Sequence, residues 1–251
     1  MGRETLEPEF GPYSEWMVEV LEEMDDPIPA ACRGTGNPTL FRMVADRLAV
    51  GATDRVLDVG CGLGGPGAWL SREVGCSVYG IDVMETEIRG ARTLFPEIAG
   101  VVGSSCALPF PDVHFDAAWS LGALEMIEEK SEALAETHRV LKPGAPLAIY
   151  GFVALGPLDR QPLGDHLVTL EELLGVAVRA GFAVRGTESA IGLQRGPQAW
   201  SDSVRQLRAR IAHDHSGDPI LIAEEQERRA FRDLWRSGKI EPWLVDLVKE
   251  G

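Results

Sequence analysis

The sequence predicts an α/β protein built on a mostly parallel, seven-stranded sheet with helices on both faces. Three observations carry that prediction. From Arg55 onward, short apolar runs alternate with helical patterns, the rhythm of successive strand–helix–strand units. The first run ends in a glycine-rich turn, Val56-Leu-Asp-Val-Gly-Cys-Gly-Leu-Gly-Gly-Pro-Gly67, in which Pro66 is placed to open a helix. The second run, Val78-Tyr-Gly-Ile-Asp82, ends in an acid, at what would be the carboxyl edge of a parallel sheet.

In chain order, Tyr13, Trp16, Met17, Val20, Leu21 and Met24 recur at helical spacing among Glu15, Glu19, Glu22 and Glu23, predicting an amphipathic N-terminal helix. Such a helix either packs on the domain or serves as a lid, with Tyr13 and Trp16 closing over a cationic ligand by cation–π attraction. Pro27-Ile-Pro29 and Arg33-Gly-Thr-Gly-Asn-Pro38 punctuate the chain before a helix from Leu40 to Leu48. Strands are expected near 55–59, 77–81, 99–103, 115–119 and 146–152. Helices are expected near 65–74, 84–94 and 130–141, with a shorter one around 122–127. Leu141-Lys-Pro-Gly144 reads as a helix stop. Thr169 and Glu172 form a capping box for a helix that ends at Gly181, and a strand near 182–189 follows. Residues 196–238 are charged and helical in pattern, with a break at His213 to Pro219, and Ile240 to Val248 reads as the last strand. The apolar positions of that insertion (Trp200, Leu207, Ile211, Leu221, Ile222, Phe231, Leu234, Trp235) are expected to pack it on the sheet edge. With no repeat or low-complexity linker, the organisation is one domain: a helical lid over 1–50, a core over 51–190, a helical cap over 191–239 and a last strand over 240–251.

Length and charge bound the function. A chain of 251 residues holds one large domain with a substantial core. Its formal charge of −15 argues against nucleic acid and anionic membrane, which need clustered Lys and Arg. Arg3, Glu4, Glu7 and Glu9 leave no apolar targeting segment at the N-terminus, and no stretch approaches the roughly 18–20 apolar residues of a membrane span. Cys32, Cys61, Cys76 and Cys106 are scattered without metal-site or disulfide spacing, which fits a cytoplasmic protein. Cys61 and Cys106 read as small packing residues in ligand loops. His213-Asp-His215 offers a His-x-His pair, but no third ligand stands at useful spacing, so no metal is expected.

Taken alone, the glycine loop is claimed by two cofactor classes. Gly60, Gly62 and Gly65 satisfy the dinucleotide fingerprint, with Asp82 about 20 residues on. Asp58-x-Gly60-x-Gly62-x-Gly64 equally resembles the first motif of class I S-adenosylmethionine (SAM) methyltransferases. Later stretches distinguish the two. Gly103-Ser-Ser-Cys-Ala-Leu-Pro-Phe110, then Phe115-Asp-Ala-Ala-Trp-Ser-Leu-Gly-Ala-Leu-Glu-Met-Ile127, then Arg139-Val-Leu-Lys-Pro-Gly144 resemble successive motifs of that family, in order and at the right spacing. The likeness runs from about residue 34 to 190 and is strongest to the subgroup acting on ubiquinone, sterols and natural products.

The resemblance implies a Rossmann-like fold with an antiparallel last strand, SAM as cofactor, and methyl transfer to a small-molecule acceptor. It implies that Gly60, Gly62 and Gly64 cradle the methionine part, with Asp58 in the same motif. Asp82 would hold the ribose, while Val83 and Met84 lie against the adenine face. Ser104, Ser105 and Cys106 would meet the adenine edge, and the Leu121 carbonyl the methionine amino group. Trp16 joins this cofactor set as a lid residue. The candidates for proton transfer are Tyr13, Glu125 and His166, with Tyr150 as a further hydrogen-bonding group; His138 reads as a surface residue.

Two departures stand out. The family often has Asp where this chain has Ser104, and an uncharged acceptor makes a weaker hydrogen bond. It also often has His where this chain has Met126. That absence motivates an alternative in which SAM is consumed by itself, by cyclisation to azetidine-2-carboxylate and methylthioadenosine. Partners are accordingly a small-molecule acceptor or SAM alone, with a homodimer compatible with the sequence.

Overall fold

The apolar runs pair into one sheet in a computed structural model that describes residues 3–159, 161–162 and 166–250. Its strands are β1 (Arg55–Val59), β2 (Ser77–Asp82), β3 (Ala99–Val102), β4 (Ala117–Leu121), β5 (Pro146–Ala154), β6 (Phe182–Ser189) and β7 (Ile240–Lys249). Their order is β3-β2-β1-β4-β5-β7-β6. The first five pair in parallel, and β7 inserts antiparallel between β5 and β6. The order reverses between β1 and β4, and the crevice at the carboxyl ends of such a switch point is where open α/β sheets bind ligands.

The helices that face one side of the sheet are α1 (Arg3–Glu22), α2 (Ile28–Ala31), α3 (Pro38–Leu48), α4 (Gly65–Val74) and α8 (Gln198–Asp214). They share a core with Val56, Trp119, Ala148 and Leu244 of the strands. On the other side α6 (Lys130–Val140) and α7 (Leu170–Arg179) pack Leu134, Leu173 and Ala177 against Leu57, Ile149 and Val245. The intervening helices are α5 (Glu85–Leu94) and α9 (Pro219–Arg236). The capping box of α7 forms as expected, with Thr169 Oγ1 accepting from Glu172 N and Glu172 accepting from Thr169 N.

Four local expectations change. Pro27-Ile-Pro29 is not loop throughout, since Ile28–Ala31 makes one helical turn with proline in its first two positions, where no intrahelical N–H is needed. The fourth strand begins at Ala117 rather than 115, because Phe115 bridges to Leu141 instead, so its carboxyl end falls at Leu121. His138 is not a surface residue: it lies half-buried beneath Gly181, edge-on to Phe182 at 5.2 Å.

The fourth change concerns the insertion, which does not simply dress the sheet edge. Leu207, Ile211 and Leu221 enter the same core as Tyr13, Met17 and Leu21 of α1, and Trp200 packs edge-on against Phe41 of α3 at 6.0 Å. Phe231 and Leu234 do join a small cluster with Phe152 and Ile240 at the sheet, and Trp235 packs edge-on against Phe152 at 5.7 Å. Asn37 fastens this arrangement. Its Oδ1 accepts from Thr39 N and Leu40 N to cap α3, while its Nδ2 donates to Leu193 O at 2.7 Å, at the start of the cap. α1 and the cap therefore form one helical layer over the carboxyl end of β1.

Candidate active site

The glycine loop gives each glycine a different task. Gly60, Gly62 and Gly64 all have positive φ (74°, 52° and 80°), the left-handed region that a side chain disfavours. A Cβ on Gly60 would run into that of Ala123, so the loop and the segment after β4 can approach only if residue 60 is glycine. At Gly62 the nearest heavy atom to such a Cβ is Glu87 Oε2, at 3.6 Å. Gly64 instead faces Ile98, Ala91 and Phe95, which places it against the core as the N-cap of α4.

Asp82 closes the loop from the β2 side. Its Oδ2 accepts from Gly62 N and its Oδ1 from Met84 N, both at 3.0 Å. One carboxylate thus holds both cradle loops and keeps further lone pairs unused by these two bonds. Burial, then the neighbouring Glu87 charge, push its pKa up to about 6 against those two hydrogen bonds. Asp58 lies deeper, 2% exposed, with Oδ2 unpaired about 3.1 Å from where Gly67 would carry a Cβ. Burial pushes its pKa up to about 7; the Trp119 indole N–H draws it back, although that N–H is itself outside hydrogen-bond geometry.

The rest of the expected cofactor set borders the same crevice. Val83 is half-buried, and Met84 is 7% exposed as the N-cap of α5. Ser104 is exposed, with Oγ accepting from Cys106 N at 3.1 Å; Ser105 and Cys106 beside it are half-buried. Leu121 ends β4, where Gly122 N donates to Tyr150 O at 2.8 Å. Cys61 packs on Gly80 of β2, a position where a Cβ would come within 2.6 Å of its sulfur.

The three proton-transfer candidates do not converge on one point. Glu125 is half-buried at the carboxyl end of β4, folded over Gly151 of β5, with Oε1 accepting weakly from Phe152 N at 3.4 Å. It borders a cavity of about 20 Å³, room for a single water, lined by Leu124, Leu173 and Trp243. Burial raises its pKa to about 7. His166 meets Glu125 through backbone: its N–H donates to Glu125 O at 2.6 Å, and its carbonyl accepts from Lys130 Nζ at 2.7 Å. Tyr13 sits on the other side of the crevice, 5% exposed, under the guanidinium of Arg33 at 6.0 Å. Trp16 stands edge-on to Tyr13 at 6.2 Å and stacks on His215 of the cap at 3.8 Å. His213 Nδ1 pairs with Asp214 at 2.8 Å, so the two histidines of His213-Asp-His215 are committed to different neighbours.

A polar cluster that sequence reasoning missed completes the wall. Ser14 Oγ of α1 donates to Glu87 Oε1 at 2.5 Å, and Arg33 Nη1 meets the same oxygen at 2.7 Å. Glu87 is 2% exposed. It joins α1, the α2–α3 loop and α5 directly behind Gly62. Arg33 has positive φ without being glycine, an uncommon backbone that could have drawn attention only once the structure was known.

Residues 57–149 match the model of the methyltransferase domain. Over these residues the chain is similar to a methyltransferase domain. Methyltransferase GfsG of Streptomyces halstedii is 36% identical over 167 residues, which cover 60% of this chain and 60% of GfsG. Sterol 24-C-methyltransferase ERG6B of Gibberella zeae is 31% identical over 144 residues, covering 55% of this chain and 38% of that enzyme. The matched stretches thus span about 60% or less of these relatives. Among solved structures, the 4+2 cyclase SpnF superposes with a TM-score of 0.69 at 26% identity, covering 84% of this chain and 81% of SpnF. Phosphoethanolamine N-methyltransferase 2 of Haemonchus contortus, solved with SAM, gives a TM-score of 0.68 over 99% of this chain and 60% of its own; at 18% identity that likeness speaks for the fold alone. The cofactor of the domain is SAM. The residues present fit it, since the Asp82 carboxylate has acceptor capacity left over and Glu87 Oε2, beside Gly62, is buried with no hydrogen-bond partner.

Proposed function

We propose that the protein transfers a methyl group from SAM to a small-molecule acceptor of the natural-product or sterol type. The observation that carries this reading is the crevice between β1 and β4, floored by Gly60 and Gly62, fixed by Asp82, and roofed by α1 with the cap. SAM supplies an activated methyl on a sulfonium. The chain's part is to align the reactants and exclude water, the main contributions open to a protein in such a displacement.

In this reading Asp82 accepts from the ribose hydroxyls, and the Gly60–Gly62 backbone lies along the methionine part with Gly64 shaping the turn. Val83 and Met84 flank the adenine face, Ser104, Ser105 and Cys106 its edge, and the Leu121 carbonyl the amino group. Asp58 braces the loop from below. Tyr13 and Trp16 close the lid, Trp16 through its stack on His215. Glu125, with a pKa near neutrality, is the group able to take a proton from an acceptor at physiological pH, and His166 holds the Glu125 backbone in place.

The test is incubation of the purified protein with SAM, with and without a panel of sterol and polyketide acceptors, followed by mass spectrometry. S-adenosylhomocysteine (SAH) formed in step with a methylated acceptor is the expected result. Methylthioadenosine and azetidine-2-carboxylate from SAM alone would overturn it in favour of cyclisation of SAM itself, a fate that none of the relatives described above is named for.

A further inference from the structure

The Glu125 carboxylate has a neighbour across the sheet. Gly151 of β5 stands directly opposite Trp243 of β7 in the antiparallel ladder. Opposed residues send their side chains to the same face, with Cβ atoms about 4.5–5.5 Å apart. A Cβ on Gly151 would lie 2.5 Å from Glu125 Oε2 and 3.2 Å from Oε1, so the carboxylate takes the space that a side chain at 151 would fill. Trp243 and Glu125 are therefore side by side on the face covered by α6 and α7. The cavity of about 20 Å³ is bounded by both of them, together with Lys130, Val168, Leu173 and Val245.

Two groups on that cavity have hydrogen-bonding capacity to spare. The Trp243 Nε1–H is buried with no partner, an unfavourable state for a donor taken out of water. Trp119 and Trp200 also bury an unpartnered indole N–H, but neither borders this cavity. The Glu125 carboxylate accepts a long bond from Phe152 N at 3.4 Å, which uses one of about four lone-pair sites. A cavity of this volume holds one water when polar groups line it, whereas a wholly apolar one stays dry. Among the described residues, the titratable groups that couple to Glu125 are Lys130 of α6, Tyr150 of β5 and His166. Lys130 Nζ donates to Ile127 O and His166 O, and His166 meets Glu125 through its backbone N–H. The cavity walls from α7 and β7, Leu173, Trp243 and Val245, carry no charge. Burial pushes the Glu125 pKa up to about 7, opposed by backbone N–H groups and the Lys130 charge, so one hydrogen bond more or less moves its charge near neutrality.

Resting on the reading of Glu125 as the proton acceptor, we infer that Trp243 is its positioning residue, acting through one water held in the cavity between them. The water accepts from the indole Nε1–H and donates to a Glu125 carboxylate oxygen. A bridging water of this kind is nearly as good as a direct hydrogen bond, and donation to the carboxylate favours its charged form. The indole is a donor only and keeps its proton throughout. Trp243 thereby holds the carboxylate over Gly151 and keeps it ionised at a lower pH than its burial alone would allow.

The test uses the full chain saturated with SAH. A crystal structure at a resolution that shows ordered water should place one about 2.7–3.2 Å from both Trp243 Nε1 and a Glu125 oxygen. Nuclear magnetic resonance of protein labelled with carbon-13 at the glutamate carboxyl carbons reads the Glu125 titration midpoint directly, with Glu125→Gln identifying its signal. Replacing Trp243 by 3-benzothienylalanine exchanges the N–H for sulfur and keeps the shape of the ring system. That replacement and Trp243→Phe should each move the midpoint up by about one pH unit, tenfold in the protonation constant. The acid limb of the pH profile for single-turnover methyl transfer should move with it. A packing role for Trp243 would leave the midpoint of the sulfur isostere at the wild-type value, and that result would overturn the inference. A dry cavity in the wild-type crystal would overturn it as well, and needs no variant to fold. Wild-type turnover in Glu125→Gln would instead remove Glu125 from the methyl-transfer reading, a separate outcome, since the resonance midpoints still decide whether Trp243 sets its charge.

Discussion

At the scale of single residues, Asp82 does the most with the least. Its two oxygens tie Gly62 and Met84 together before any ligand arrives, so the cradle is organised by the group that would bind the ribose. Asp82→Ala is expected to weaken SAM by about 1.5–3 kcal/mol, the scale of hydrogen bonds to a charged group, measured by calorimetry. The pH dependence has a definite sign. With a pKa near 6, Asp82 is a carboxylate above pH 6 and takes up a proton below it. SAM affinity should therefore hold between pH 7 and 8 and fall as pH drops through 6, by at most about tenfold per unit. Asp82→Asn should bind weakly with that dependence removed; a wild-type slope retained in the Asn variant would assign the titration to another group.

At the scale of elements, besides the surface ion pair of Glu15 with Arg89, the N-terminal helix is joined to the rest by three different forces. Met17 and Leu21 bury apolar surface, Ser14 hydrogen-bonds Glu87 of α5, and Trp16 stacks on His215 between α8 and α9. The first fixes the helix in the fold, whereas the other two tie it to the cradle and the cap. Trp16→Ala removes the stack while leaving the apolar face intact. The expected result is a melting temperature within a few degrees of wild type, with product formation slowed several-fold under single-turnover conditions. Undiminished turnover would reduce Trp16 to a packing residue.

For the whole molecule, the cofactor crevice is bounded by parts far apart in sequence: α1, the Arg33 loop, the β1 and β2 loops, and the cap that precedes β7. Ligand binding should therefore stabilise them together. Saturating SAH at a hundred times its dissociation constant adds about 2.7 kcal/mol to unfolding. Hydrogen exchange should slow in α1, the Gly60–Gly64 loop and α8 in parallel, with β1 and β4 slow in both states. Protection confined to the glycine loop would mean that the helical layer does not sense the cofactor.

The sequence by itself determined the sheet and its ligand edge, and the later motifs, by family resemblance, pointed to SAM. Short apolar runs alternating with helical patterns mark which segments are strands, and the spaced glycines with Asp82 need a ligand that touches backbone. The capping box at Thr169 and the stop at Gly181 were legible for the same reason, being local backbone chemistry carried by a few adjacent residues. Only the tertiary structure decided where α1 and the cap go, because an amphipathic helix states that one face is buried but not against what. Hence the cap that reads as an edge covering packs on α1 and α3 instead, and His138 lies under Gly181. The same limit hid Ser14, Arg33 and Glu87. Their meaning rests on pairings across 54 and 73 positions of chain, and electrostatic complementarity exists only between groups that folding has brought within reach.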